Sequence, residues 1–306
     1  MSLPEFYKKN EDDSFAKILF KSSLIIILIV SSVVAFKFFF NWLAFESFDK
    51  AEAFQKLRSA KEQEKLMIAQ EWLRHLQEAP QGWVPDSAES AYILAELESI
   101  PPRAEFESPM RAAALVAILG YAPDKNLIRP RILNVLKALE GQEKFLPLLL
   151  MGLLSLSQMG PFESPDEKDF YLKSSESHDS SIRKIFAFSS GNLIKFQNEF
   201  SEILKERLAN LLSDEVEEVR WNSAFSLASV ADPRAIPIVD KILDRALKAG
   251  QKNEEIMTQE NLKLFEESLR AAVSLKEMKL RDKVYKISRE HLHLKLRQAA
   301  KNFVEK

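Results

Sequence analysis

The histidines are the first residues to consider for chemistry, because imidazole is a common metal ligand and general base near neutral pH. His291 and His293 form the one His-x-His pair among the four histidines of the chain. On a helix, residues two apart point about 200° from one another, so these rings would not converge on one metal ion. We expect an exposed or capping role for this pair, and surface positions for His75 and His178.

Other patterns that carry chemistry are absent from the sequence. There is no cysteine, which excludes thiol catalysis, disulfides, iron–sulfur clusters and cysteine zinc sites. No phosphate-cradling glycine loop, nucleophile motif or convergent carboxylate cluster occurs, and the many Asp and Glu residues suit helix caps and solvated helix faces. The sequence predicts no catalytic residues, no cofactor and no metal, and therefore a protein that is not an enzyme.

Composition indicates which elements build the chain and which partners it lacks. Only seven glycines occur in 306 residues, and a glycine-poor, leucine-rich chain favours helices, so we predict an all-α fold. The 43 Lys and Arg residues are balanced by 45 Asp and Glu residues. A nucleic-acid-binding protein would need a concentrated basic face, and we therefore exclude nucleic acid as a partner.

A hydrophobic segment near the N-terminus predicts a transmembrane anchor at 22–45, after a polar tail at 1–21. Residues 22–36 carry no charge, and after Lys37 the chain continues with aromatic residues as far as Phe45. Twenty-four helical residues span about 36 Å, enough for a hydrocarbon core of about 30 Å. We expect Lys37, Phe39 and Trp42 at the membrane interface, and the lipid bilayer as a partner through 22–45.

Two alternatives to the anchor and its orientation stay open. The segment could be a cleaved signal peptide ending near Ala35, or a buried helix of a soluble core. Four lysines precede the segment and three basic residues follow it closely, a slight bias that places the N-terminus inside and the downstream domain on the extracytoplasmic side. The cytoplasmic side is the alternative for that domain.

Helix signals follow the anchor. Residues 46–79 form one long helical pattern, which we interpret as part of a stalk at 46–85. Asp86 with Glu89 predicts a capping box for a helix that runs to about Ser99. Ser108 and Pro109 predict another helix start, for which Gly120 supplies a stop.

An internal repeat defines the remaining domain, 86–306. Ile182-Arg183 with Ala187-Phe188-Ser189 recurs 37 residues later as Val219-Arg220 with Ala224-Phe225-Ser226, and Arg111 lies 72 residues before Arg183. A period of 36 to 37 residues with two helices per unit is typical of a helical solenoid.

The best-defined unit is 213–247. Asp214 is expected to cap its first helix with Glu217 at N3, and Asp232 with Pro233 to form the turn. The second helix carries an apolar stripe at Ile236, Val239, Leu243 and Leu247.

This unit resembles a HEAT repeat, of the short HEAT-like kind also found in relatives of phycobilisome lyases. The resemblance implies an α-solenoid of about five helix pairs and a protein-binding role. Ser229 stands where a glycine is usual, and the serine-rich loop at 160–181 is longer than the connections of the family. That loop is interpreted as disordered, with a docking segment as the alternative.

Four residues of the repeats are candidates for contact with a partner protein. Trp221 and Phe225 lie four apart on the face opposite Val219 and are either covered by the next repeat or exposed as binding anchors. Arg183 and Arg220 recur at one repeat position and form either a structural ladder with acidic neighbours or partner contacts.

The sequence therefore predicts a membrane-anchored scaffold or adaptor that binds a protein component of an envelope assembly. One alternative is a structural subunit that works through its transmembrane helix, whose small serines permit close helix approach. A lyase-type enzyme of the HEAT-like kind is a third hypothesis, by analogy alone.

Overall fold

The computed structural model describes residues 49–99, 107–196, 198–251 and 258–304. Within these ranges the chain forms 14 α-helices and no strand, which confirms the predicted all-α class. The helices are α1 Lys50–Ser59, α2 Glu62–Glu78, α3 Ser87–Glu98, α4 Glu107–Leu119, α5 Lys125–Ala138, α6 Leu146–Gln158, α7 Pro165–Lys173, α8 Ser180–Leu193, α9 Glu199–Leu211, α10 Glu217–Ala228, α11 Ile236–Gln251, α12 Gln259–Leu275, α13 Met278–Glu290 and α14 Leu294–Val304.

The chain divides into two compact units, Met1–Lys56 and Leu57–Lys306. The division lies inside the segment 46–85 that the sequence assigns to a stalk. No helix in the described ranges is both long and apolar enough to cross a membrane. The predicted tail 1–21, the predicted anchor 22–45 and its interface residues Lys37, Phe39 and Trp42 lie outside the described residues.

Two interleaved series of helices make up the second unit. The even-numbered helices α2 to α14 contact one another in succession, and we call this series row A. The odd-numbered helices α3 to α13 form row B, in which α3 contacts α5, α5 contacts α7, α7 contacts α9, and α11 contacts α13. Consecutive helices of the chain therefore belong to opposite rows.

Local signals explain most of the helix boundaries. Asp86 and Glu89 form the predicted capping box at the start of α3, and α4 ends one residue before Gly120. Asp232 caps a short 3₁₀ turn that begins at Pro233, as predicted. The prediction of one continuous helical segment at 46–79 is wrong, because the backbone is extended at Lys61, between α1 and α2. No glycine or proline marks that break, so the sequence pattern could not reveal it.

The predicted apolar stripe of α11 faces the space between the rows. Val239 and Leu243 are fully buried, while Ile236 and Leu247 are half-buried. This face is continued by Ile242 and Ala246, which are also buried. Burial of such a stripe is the main source of stability for a short helix in a protein.

The serine-rich loop at 160–181 is not disordered, in contrast to its interpretation from sequence. Ser164 and Glu167 form a capping box for α7, and Phe170 and Tyr171 of that helix are buried in the core. The Tyr171 hydroxyl forms a 2.5 Å hydrogen bond with Ser189 Oγ of α8. The segment therefore supplies a row B helix that contacts α5 and α9. Its many serines made it resemble a loop in the sequence, although Phe170 and Tyr171 are core residues.

Candidate protein-binding groove

Three helices of row A line a candidate site in the described part of the chain. A cleft of about 560 Å³ lies among α8, α10 and α12. Its lining includes the aromatic rings of Phe188, Trp221 and Phe225. Phe188 is 55% exposed, and the other two rings are half-buried. We call this cleft, with its lining residues, the groove.

Hydrogen bonds between α8 and α10 fix the direction of the two helices. Ser226 Oγ donates to the Ala187 carbonyl oxygen at 2.6 Å, and Asn222 Nδ2 donates to the Lys184 carbonyl oxygen at 3.5 Å. The acceptor residue moves from 184 to 187 as the donor residue moves from 222 to 226, so α8 and α10 run parallel. Gly191 allows the close approach, because a Cβ there would lie 2.8 Å from Ser226 Oγ.

Helical spacing brings the groove residues of α10 onto one face. Glu218, Trp221, Phe225 and Ser229 follow one another at intervals of three and four residues and all line the groove. Val219 is fully buried on the opposite side of the same helix, as the sequence predicted. The half-buried aromatic face of α10 therefore lines the groove.

Charged side chains flank the aromatic floor. Lys184 of α8 and Lys195, in the 3₁₀ turn that follows α8, line one side, and neither ammonium group has a carboxylate within 4.0 Å among the described residues. The side formed by α12 carries two acidic and two basic groups, of which Glu267 and Arg270 pair at 3.1 Å. The remaining two are Glu260 and Lys263.

Arg183 lies outside the groove and links α8 to the turn before α10. Its guanidinium donates to both carboxylate oxygens of Asp214, at 2.7 and 3.0 Å, and to the carbonyl oxygen of Ser177 at 2.8 Å. The hydrogen bonds to Asp214 raise the pKa of Arg183 and lower the pKa of the Asp214 carboxyl. Of the two roles considered for Arg183, a structural ladder with acidic neighbours or contact with a partner, this geometry is the one expected of the ladder.

Arg220 contacts the same turn from the other side. Its Nη1 donates to the carbonyl oxygens of Asp214 at 2.6 Å and Glu215 at 3.0 Å. The predicted cap of α10 by Asp214 is wrong, because Val216 is the N-cap residue and makes no side-chain cap. The Asp214 carboxylate instead accepts from the Val216 amide at 2.9 Å and from Arg183.

Arg111 is buried between acidic groups of row A and row B. It pairs with Glu96 of α3 at 3.2 Å and with Glu62 of α2. Desolvation lowers the pKa of its guanidinium. All three recurrent arginines thus make intramolecular ion pairs or carbonyl contacts, and the groove contains none of them.

Row B carries its own series of ion pairs. Each step from α3 to α13 is bridged by a basic and an acidic side chain, so most of the charges on that row are neutralised within the molecule. The pairs are Glu98–Arg131, Lys137–Asp166, Glu176–Arg207, Glu206–Arg234 and Asp240–Lys283. Lys184 of α8 and Lys195, in the 3₁₀ turn that follows α8, have no such partner within the described residues.

The histidines occupy structural positions. His75 is buried and stacks on Trp83 with ring centroids 3.9 Å apart, so its predicted surface position is wrong. His178 is exposed, as predicted. His291 is buried: its Nδ1 accepts from the His293 amide at 3.0 Å, and its Nε2 lies 3.1 Å from the Ala246 carbonyl oxygen. A capping role fits this pair, although the sequence did not indicate that one ring would be buried.

Within the ranges that the structure describes, no group of three or more His, Asp or Glu side chains could hold a metal ion. The groove residues that sequence reasoning missed are Phe188, Lys184 and Lys195. A signal for Phe188 was present, because it precedes Phe225 by the repeat distance of 37 residues. The lysines carried no such signal, since exposed lysines are common on helices.

Comparisons with known proteins give no family for this chain. No protein-family model matches it, and no curated protein matches it. The resemblance to HEAT repeats therefore depends on the residues of the repeat alone.

Proposed function

We propose that the chain is a membrane-anchored adaptor whose groove binds a segment of a partner protein. The observation that carries the proposal is the groove itself: three aromatic rings on a floor about three helical turns long, open to solvent and flanked by charge. Aromatic residues in such a recess are the usual anchors of protein interfaces. Scattered single hydrophobic residues on a surface would not support the same conclusion.

The helical packing supports the proposed class of scaffold. Contacts that connect a helix with the second helix along the chain are expected of a solenoid of helix pairs, and in row A they extend without a gap from α2 to α14. We therefore propose HEAT-like pairs from α2–α3 to α12–α13, one more than the five estimated from the sequence. The membrane anchor at 22–45 and its orientation are proposed from the sequence alone.

Site-specific photo-crosslinking in cells tests the binding function. A photoreactive phenylalanine replaces Phe188 in the groove, and a matched control carries it at Leu127, a 60% exposed residue of α5 in row B. We expect a discrete adduct from position 188, none from 127, and loss of the adduct when Trp221→Ala is added. Equal labelling from both positions, or none from 188, would contradict the proposal.

A second arm separates the adaptor from a subunit that works through its anchor. Residues 1–45 are replaced by an unrelated transmembrane segment, and the crosslink from position 188 is measured again. A retained adduct leaves the groove as the functional surface. A lost adduct, with the chain still in the membrane, favours helix packing by the anchor.

A further inference from the structure

We infer that the groove takes an amphipathic α-helix of the partner, with an apolar stripe on α10 and acidic side chains along the flank that faces α8. This inference rests on the proposed binding function and adds the secondary structure and charge of the bound segment. It follows from three properties of the groove: the shape of its floor, the hydrogen bonds already made by its backbone, and the charges at its edges.

The floor has the dimensions of a short helix. Glu218 and Ser229 mark its two ends, and 11 residues of helix span about 16 Å, or three turns. Trp221 and Phe225 lie one turn apart between them. A docked helix with apolar residues at i, i+3, i+4 and i+7 matches this spacing, which is the general pattern of helix-in-groove recognition.

An extended peptide would fit this surface poorly. The groove is built from three helices, whose backbone amides and carbonyls are used within the helices. The two asparagine side chains of the groove already donate to other groups, Asn222 to the Lys184 carbonyl oxygen and Asn192 to Ser157 Oγ. An extended segment would therefore bury main-chain polar groups without partners, whereas a helix satisfies its own.

The charged groups at the edges of the groove indicate which charge the bound helix should carry on one flank. On the side formed by α8 and the 3₁₀ turn after it, Lys184 and Lys195 are both exposed and lack a carboxylate partner among the described residues. On the side formed by α12, two acidic and two basic groups balance one another. The net positive side therefore favours acidic residues on the helix flank that faces α8.

A display library tests the inference on the full chain, solubilised in detergent. The library presents helical peptides of about 18 residues, five turns, with randomised charge and apolar positions. We expect enrichment of peptides with an apolar stripe at helical spacing and with Asp or Glu on one flank. Against the double variant Lys184→Glu/Lys195→Glu, the preferred flank should become basic, and acidic peptides should bind about tenfold more weakly.

A matched control carries Lys125→Glu and Lys173→Glu, two exposed lysines of row B outside the groove. This control should leave the preference for acidic peptides unchanged. Phe188→Asp should abolish enrichment altogether. Because this variant is held in the same detergent, it also measures how many peptides bind to the detergent alone.

The outcomes separate the two proposals. The inference would be overturned if the preference for acidic peptides were the same in wild type and in the Lys184→Glu/Lys195→Glu variant. It would also be overturned if the apolar residues of the enriched peptides did not follow helical spacing. If the crosslink from position 188 persists while no helical peptide is enriched, the binding function stands and the helical partner is wrong. If both fail, the groove is not a binding surface.

Discussion

The guanidinium of Arg183 holds the carboxylate of Asp214 through two hydrogen bonds of 2.7 and 3.0 Å, from α8 to the turn before α10. Both side chains are largely buried, so the pair links α8 to this turn where water competes weakly. It also sets the position of α10, and through α10 the floor of the groove.

Replacement of this arginine should weaken the link between α8 and the turn before α10. Arg183→Met leaves the buried Asp214 carboxylate without its partner, and we expect the free energy of unfolding to fall by about 2 kcal/mol. Because Arg183 lowers the pKa of Asp214, the contribution is present above the unfolded pKa of about 3.9 and is lost as pH falls below it. Denaturant unfolding of wild type and variant at several pH values measures both effects, with exposed Arg281→Met as the control. An equal loss in both variants would contradict the structural role.

The apolar face of α11 can be tested with one charge. Leu243→Asp places an unpaired carboxylate in the fully buried interior, so we expect local unfolding and a lower melting temperature. Leu127→Asp makes the same change at a 60% exposed leucine and should have little effect. An unchanged melting curve for Leu243→Asp would show that the stripe is not buried.

The helix at 165–173 is tested by a pair of phenylalanines. Phe170 is 6% exposed and Phe196 is 48% exposed. Phe170→Ala should lower the free energy of unfolding by about 3 kcal/mol because it empties a core position, and Phe196→Ala should cost far less. Similar melting temperatures for the two variants would restore the interpretation of this segment as a disordered loop.

The contact between Gly191 and Ser226 predicts that Gly191→Ala destabilises the wild-type protein but stabilises the Ser226→Ala variant. Gly191→Ala alone should destabilise by about 1 kcal/mol, because the new Cβ meets a hydroxyl held by its bond to the Ala187 carbonyl. In the Ser226→Ala background the nearest remaining contact is an ordinary 3.5 Å. There the higher helix propensity of alanine should make the same change stabilising by about 1 kcal/mol. A double-mutant cycle on unfolding free energies measures the coupling, and purely additive effects would exclude the close approach.

His291 predicts a loss of stability in mild acid. Burial lowers the pKa of this ring, and nearby His293 and Arg297 add to the effect. The folded state thus prefers the neutral ring, whose Nδ1 accepts from the His293 amide. Stability should be complete above the unfolded pKa of about 6.5 and decline as pH falls below it, since the unfolded state binds the proton more tightly. Melting temperatures between about pH 7 and pH 5 should fall more steeply for wild type than for His291→Gln, whereas exposed His178→Gln should follow wild type.

Local pattern was sufficient for much of the fold. The capping box at Asp86, the stop at Gly120 and the stripe through Leu243 were all predictable, because each depends on residues within a few turns of one another. The aromatic half of the groove was also predictable in part, since Trp221 and Phe225 were identified as candidate anchors.

The sequence by itself determined the all-helical class, because helix propensity and the spacing of apolar residues are local properties. Tertiary structure alone decided that Asp214 accepts from Arg183 and does not cap α10, that a serine-rich segment folds around Phe170, and that Lys184 faces a groove. Each of these depends on groups about 30 or more residues apart in the chain or on different helices. Their proximity is set by the packing of whole helices against one another, which no short pattern encodes.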